Sequence, residues 1–389
     1  MIARTPAGVS PTAHPSVEIR HDLDFPAEDA AALDDLIDLQ PHVGIFLSRA
    51  WLSGFFAEPP EGCDPAVVMI KERGTLRGIV PIATRRRFTH VRVALLGGGA
   101  GSDRVDLLAA RGYEAACSDA FLDCLQESFG ARGFVLELRD VPGNSPLWGA
   151  VQRAGSERKL RLAVEPREIH PHPYLDLAES WSGDAPAAHR SNSLDRHRRW
   201  LERRGRLRIE LLREPGEALA AFESLVRLLH VRWLGERDGS ALDAPHRQRF
   251  HQHVIPLLLR EGCLRMIRLS SDVRTIAVFY GLARRRWWGY YLAGYDREWA
   301  RRIHLGQITL ATAIELAAQQ GAAEFDFLKG ADRVKYLWPV RERMTVDADV
   351  YSGRSGPQLI RAARASRGAA VALARSARDL FGTHASHHS

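Results

Sequence analysis

The chain has 389 residues, 45% of them hydrophobic and 26% charged, enough for two ordinary domains with buried cores. Its 54 Lys and Arg against 47 Asp and Glu give a formal charge of +7, which suits anionic ligands in general: coenzyme phosphates, acidic glycans, anionic lipid or RNA. No apolar run approaches the roughly 20 residues that span a bilayer, and the four cysteines have neither metal-site spacing nor disulfide-scaffold density.

Residues 1–16 lack an apolar signal core and read as a disordered leader, which points to a cytoplasmic protein. Residues 17–25 read as a strand and 27–39 as a helix, and Ser48 caps a helix carrying Trp51, Phe55 and Phe56. Residues 66–71 and 77–83 form a hairpin turning at Arg73-Gly74, with Pro81 implying an edge strand or a bulge. A strand at 91–96 runs into Gly97-Gly98-Gly99-Ala100-Gly101. With no Lys-Ser/Thr behind it, this run reads as a flexible turn and not a phosphate loop. A helix at 115–129 and a strand at 134–138 complete a mixed α/β module, residues 17–184.

An arginine-rich helix near 191–204 leads into a second module, residues 185–353. A strand at 207–212, helices at 217–233 and 245–260, and three strands at 264–269, 275–282 and 287–293 follow in order. A helix at 307–319 then leads to a strand at Glu324. Residues 354–389 form a basic tail with a thin apolar stripe (Leu359, Ile360, Val371, Leu373, Leu380, Phe381). Such a tail binds an anionic membrane surface reversibly, or is a packed or partly disordered helix.

The run from Glu324 to Trp338 carries the most chemistry. Phe325 and Phe327 fall on one face of a strand, Glu324 and Asp326 on the other. Lys329-Gly330 then breaks the strand, and Asp332 opens a turn with Lys335, Tyr336 and Trp338. Open α/β sheets place ligands at such carboxyl ends. Only four lysines occur in the chain, Lys71, Lys159, Lys329 and Lys335, and two are here. Lysine is the cation whose pKa burial shifts most readily.

FDFLKG (Phe325 to Gly330) with Asp332, Lys335 and Trp338, together with FLSRAWL (Phe46 to Leu52) and IVPIATRRR (Ile79 to Arg87), resembles the GNAT superfamily. The branch it resembles is that of CelD-type cellulose and exopolysaccharide proteins, related to the FemAB peptidyltransferases. Lys329 stands where that branch usually has arginine, and the branch's Tyr-Lys order is lost at Lys335 and Tyr336. The resemblance implies an α/β fold with a mixed sheet, built from tandem GNAT-like N-acyltransferase modules of which the first is degenerate. It implies an acyl-CoA co-substrate, acetyl-CoA first among them, and no metal. The acceptor would be an amine of a sugar or small precursor in cell-envelope or exopolysaccharide synthesis.

Site roles follow from the same resemblance. The helix opening at Leu305-Gly306-Gln307 would hold the coenzyme pyrophosphate at its amino terminus, helped by Arg301, Arg302 and His304. Only Gly306 remains of the family's usual glycine loop. Tyr290 would face the substrate and Tyr291 the coenzyme; with Trp287 and Trp288 they either wall an acyl tunnel or pack as core. Asp326, directly or through water, would be the base, Lys329 or Lys335 would stabilise the oxyanion, and Tyr336 would protonate the thiolate, with Asp332 beside them. The plainer reading is an Asp–Lys network that locks the following helix onto the sheet. Arg190, Asn192 and Arg196 border the cleft and would bind an anionic acceptor, or form a solvated helix face. Two further functions stay open: Fem-like aminoacyl transfer from charged tRNA, and a GNAT-like binding protein without turnover.

Overall fold

A computed structural model describes residues 15–99, 101–156, 162–180, 199, 203, 207–233, 242–272, 274–364 and 366. The linking helix near 191–204, with Arg190, Asn192 and Arg196, lies almost wholly outside these, as does the tail beyond 366. The strands of the described residues are, in chain order, β1 (Ser16–Arg20), β2 (Asp64–Glu72), β3 (Thr75–Arg86), β4 (Val91–Leu95), β5 (Leu108–Ala109), β6 (Phe134–Pro142), β7 (Ala163–Asp176), β8 (Arg208–Leu211), β9 (Leu264–Ser271), β10 (Arg274–Arg284), β11 (Trp287–Tyr295), β12 (Glu324–Asp326) and β13 (Arg341–Tyr351). All belong to one sheet, ordered β1-β2-β3-β4-β6-β13-β7-β12-β11-β10-β9-β8, with β5 attached to β3.

That order reads the same from both edges. From each edge come four antiparallel strands, β1 to β4 or β8 to β11. A parallel neighbour follows each set, β6 or β12. Helices Ala27–Leu39 and Arg49–Ala57 fill the first connection of one half, Pro215–Trp233 and Pro245–Arg260 that of the other. Glu114–Phe129 and Leu305–Gln319 likewise precede the parallel strands. The repeat expected from the family resemblance is therefore present in topology. The closing strands are exchanged: β6 pairs with β13, and β12 pairs with β7. β7 and β13 also pair with each other, antiparallel, at the centre of the sheet.

Packing joins the halves as well. Helix Pro245–Arg260 lies on helix Arg49–Ala57, where a Cβ on Gly54 would stand 2.5 Å from the Phe250 ring, so glycine sets the approach. Phe250 stacks edge-on to Trp51 at 5.1 Å and close to Phe55 at 4.6 Å. Ser48 caps helix Arg49–Ala57 as its sequence suggests, accepting from the Trp51 amide. A second apolar cluster gathers Ile308 and Ile314 of helix Leu305–Gln319 with Phe279, Phe325 and Phe327.

One expectation is corrected. Pro81 lies neither on an edge strand nor at a bulge: β3 is interior. On one side β5 pairs with Gly78 and Ile79 and β4 resumes at Ile82, so the missing proline N–H falls in the gap between two partners. Strand β7 is long despite Pro166, Pro171 and Pro173. Past β12 its neighbour is a loop that donates to it: the amides of Phe327 and Gly330 bond the carbonyls of Pro173 and Pro171.

Candidate active site

β11 and β12 run parallel for three pairs only, Trp287 with Glu324, Trp288 with Phe325 and Gly289 with Asp326. There β12 stops. The chain turns away through Leu328 (φ 56°) and Gly330 (φ 108°), while β11 continues alone from Tyr290. A cavity of about 770 Å³ opens where the strands part. Its walls include Tyr290 and Tyr291, the loop residues Leu328, Lys329 and Asp332, the helix start at His304, Gly306 and Gln307, and Lys335.

The turning loop is organised by Lys335. Its buried Nζ donates to the carbonyls of Lys329 (2.7 Å), Gly330 (3.2 Å) and Leu328 (3.5 Å). Burial holds its pKa below the usual lysine value. With its donors committed to backbone, Lys335 shapes the cavity wall and is not a free oxyanion donor. Lys335→Met should cost about 1–3 kcal/mol by stranding those carbonyls. Denaturant unfolding of the two proteins measures it.

Besides Asp332, the cavity is lined by an acid from the other half of the chain. Asp103 follows β4 in the loop that began as the glycine run, and it lines the cavity with Lys329 and Tyr291. The loop is pinned on both sides of it. Tyr291 donates its hydroxyl to the Gly101 carbonyl at 2.6 Å, Trp51 Nε1 donates to Ser102 Oγ at 2.8 Å, and the Arg104 amide donates to Asp140 Oδ2 at 2.9 Å. Burial, and next the charge of Asp140, push the Asp103 carboxyl up to about 6. Such a group exchanges a proton near neutral pH. The sequence signal is GGGAGSDR at a strand end; the flexible turn expected of the glycines is a turn held by these bonds, and Asp103 lies two residues beyond its last glycine.

Behind Asp103 stands Asp140 (φ 59°) on β6. Thr345 Oγ1 donates to its Oδ1 at 2.6 Å, His172 Nε2 lies 3.0 Å from the same atom, and Lys329 Nζ is 3.5 Å away. Burial would raise this carboxyl, but the hydrogen bond and charge of His172, with Thr345 and Lys329, hold it well below the ordinary range. One ionised carboxylate thus fixes both the Asp103 loop and the Lys329 ammonium.

Several expected site residues stand elsewhere. Asp326 is fully buried and is not among the residues that line the cavity. It accepts from Arg104 Nη2, from Trp287 Nε1 at 3.2 Å, from Arg343 Nη1 at 3.3 Å and from the Leu328 amide at 2.8 Å. Burial opposes its ionisation, and the guanidinium groups of Arg104 and Arg343 overcome that and keep its pKa low. A carboxylate so held does not accept a substrate proton, so the base assignment is corrected. Asp326 is locked by arginine, while the two lysines pair with other aspartates, Lys329 with Asp140 at 3.5 Å and Lys335 with Asp332 at 3.7 Å. Tyr336 is 41% exposed, bonds Glu342, and does not line the cavity, so it is not placed to protonate a thiolate there. Arg301 is exposed beyond the cavity wall, and of Arg302 only the backbone, at the end of helix Arg297–Arg302, is described.

The helix start fits an anion. Helix Leu305–Gln319 has His304 at its N-cap with no side-chain cap; the Leu305 amide bonds the Ile303 carbonyl at 2.8 Å, which leaves the amides of Gly306 and Gln307 at the cavity wall with Arg232. A Cβ on Gly306 would stand 2.9 Å from Tyr295 Cε1, which explains why glycine survives there without the rest of the loop. Tyr290, the first residue past the last β11–β12 pair, stacks on Phe279 at 5.5 Å, and burial pushes its hydroxyl up to about 12.

Comparison with known proteins bears on the fold. Residues 188–336 match the family described as "Acetyltransferase (GNAT) domain". No curated protein matches the sequence. Among solved structures the fold is similar to FemX, with a TM-score of 0.58 at 10% identity over 85% of this chain and 96% of that one. It is also similar to the C-terminal domain of a putative lysylphosphatidylglycerol synthetase from Agrobacterium fabrum, with a TM-score of 0.51 at 12% identity over 87% and 96%. At such identities the likeness is one of fold, and nothing narrows it to the CelD-like branch. What these comparisons show is a match to a GNAT acetyltransferase domain over residues 188–336, set in a mixed α/β fold with one large sheet.

Proposed function

We propose that the protein is an N-acyltransferase that draws its acyl group from acyl-CoA, acetyl-CoA in the simplest case, and passes it to the amine of a sugar or other small molecule. The supporting observation is the parting of β11 and β12 over a cavity that joins an uncapped helix start to Asp103. The pyrophosphate would lie against the amides of Gly306 and Gln307, and the thioester would reach Tyr290. Asp103 takes the proton of the attacking amine as the new C–N bond forms. Lys329 stabilises the oxygen that gains charge, and the C–S bond then breaks with the Tyr290 hydroxyl protonating the departing sulfur. Cell-envelope or exopolysaccharide synthesis is the setting in which such an acceptor is proposed.

Calorimetry and thermal shift with acetyl-CoA and longer acyl-CoAs test this directly. Ligand at 100 times its dissociation constant should stabilise the protein by about 2.7 kcal/mol. A folded sample that gives neither heat nor shift with any acyl-CoA, and that transfers from aminoacyl-tRNA instead, overturns the reading in favour of a Fem-like enzyme.

A further inference from the structure

The hairpin between β3 and β4 ends in Arg85-Arg86-Arg87-Phe88-Thr89-His90, and Phe88 is 96% exposed at its tip. Single exposed apolar residues are common and need no explanation. This one sits on a braced support. Arg132 Nη2 donates to the carbonyls of Arg87 (2.9 Å) and Phe88 (3.3 Å), and the Arg87 amide closes the turn on the His90 carbonyl at 2.9 Å. From the other side Gly356 abuts Thr89 so closely that a Cβ there would lie 2.4 Å from the Thr89 carbonyl. Gly133 is likewise pressed against Arg354 and Pro357. With its backbone held from behind, the ring points outward by construction.

The support is basic. The three adjoining segments, residues 85–90, 130–133 and 352–364, contain seven arginines and no acidic residue. Arg361 and Arg364 pair with Glu165, Asp349 and Glu137 of neighbouring strands. Arg132 and Arg354 bond backbone carbonyls, and neither they nor Arg86 and Arg87 have a carboxylate partner among the described residues. Leu359, 69% exposed, lies three positions beyond the glycine that touches Thr89.

We propose that this tip is a docking point for an anionic phospholipid surface, with the Phe88 ring entering the headgroup region and Arg86, Arg87, Arg132 and Arg354 meeting lipid phosphates. A convex tip with one large aromatic suits a bilayer interface. Single-stranded nucleic acid takes a groove with several stacking rings, and no second Phe, Tyr or Trp accompanies Phe88 on these segments. The surface works independently of the acyltransfer reading, since none of its residues lines the cavity.

The test uses the full chain, phosphatidylcholine vesicles with and without phosphatidylglycerol, and the variants Phe88→Trp, Phe88→Ser and Arg86→Glu/Arg87→Glu. The wild type should cosediment with anionic vesicles at low salt and be released as salt rises. The indole introduced by Phe88→Trp, read as the difference in emission from wild type, should shift to the blue on anionic vesicles only. Phe88→Ser should weaken partitioning about tenfold. The double charge reversal should weaken it about 25-fold or more. Unchanged melting of each variant confirms the fold. Absence of cosedimentation, equal binding to neutral vesicles, or binding that leaves the introduced indole unshifted overturns the proposal. So does an indole response to an RNA oligomer that competes with vesicles, which would make the tip a nucleic-acid contact.

Discussion

Asp103→Asn should lower kcat with the best acceptor amine by about 100- to 10,000-fold, the usual worth of a positioned base. It should also abolish the acidic limb of kcat/KM, which in the wild type should rise through about pH 6 as Asp103 ionises. The same substitution should stabilise the fold at alkaline pH. The folded-state pKa is raised, so the native protein holds this proton more tightly than the unfolded chain. The carboxyl is therefore neutral in its effect below its ordinary value, and its destabilising effect grows as pH rises from there to about 6 and is constant above. Removing the charge should recover about 1–2 kcal/mol near pH 8, after allowance for solvent reaching a half-buried group, and nothing near pH 4. A wild-type rate in the variant, or lower stability near pH 8, would exclude Asp103 as the base.

Asp326→Asn should give the opposite pair of results. Arg104 is 1% exposed, and its Nε and Nη1 have no hydrogen-bond partner among the described residues, so the Asp326 carboxylate is its main compensation. Removing that charge should destabilise the protein by about 3–5 kcal/mol, because it leaves a buried guanidinium uncompensated. Turnover per folded molecule should stay near wild type, since Asp326 does not reach the cavity. The pH dependence is also fixed in sign. The pKa of Asp326 is lowered on folding, so its contribution is present above the ordinary carboxylate value and fades as pH falls through the lowered one. The gap between wild type and variant should narrow in acid. A stable variant with impaired turnover would restore Asp326 to the catalytic machinery.

The contrast between these two aspartates shows what a sequence exposes. The alternation at Glu324 to Phe327 was legible because period two is a local property: the phenylalanines join the core, and Glu324 and Asp326 turn to Arg343. Helices Ala27–Leu39 and Pro245–Arg260 have the bounds that their periodicity and flanking residues indicate. The partners of Asp326 were hidden, since Arg104 lies 222 residues away and reaches it only through the packing of the two halves. Asp103 was hidden for the same reason. Nothing local tells that a loop of the first half closes a cavity of the second. Strand β7 was obscured differently: its three prolines argue against a central strand, and beside two of them, Pro171 and Pro173, the neighbour is the loop of residues 327–330, which donates to their carbonyls and asks for no N–H in return.

The exchange of β7 and β13 sets a timetable for synthesis on the ribosome. β6 and β7 are made early, yet their central partner β13 begins only at Arg341. At about 5–20 residues per second the interval between Asp176 and that partner lasts on the order of 10–30 s. Throughout it the nascent chain presents open strand edges of the kind that aggregate or recruit holding chaperones. Neither half can therefore complete its own sheet as it emerges, and the last of the described strands to be translated is the one that closes the middle of the sheet.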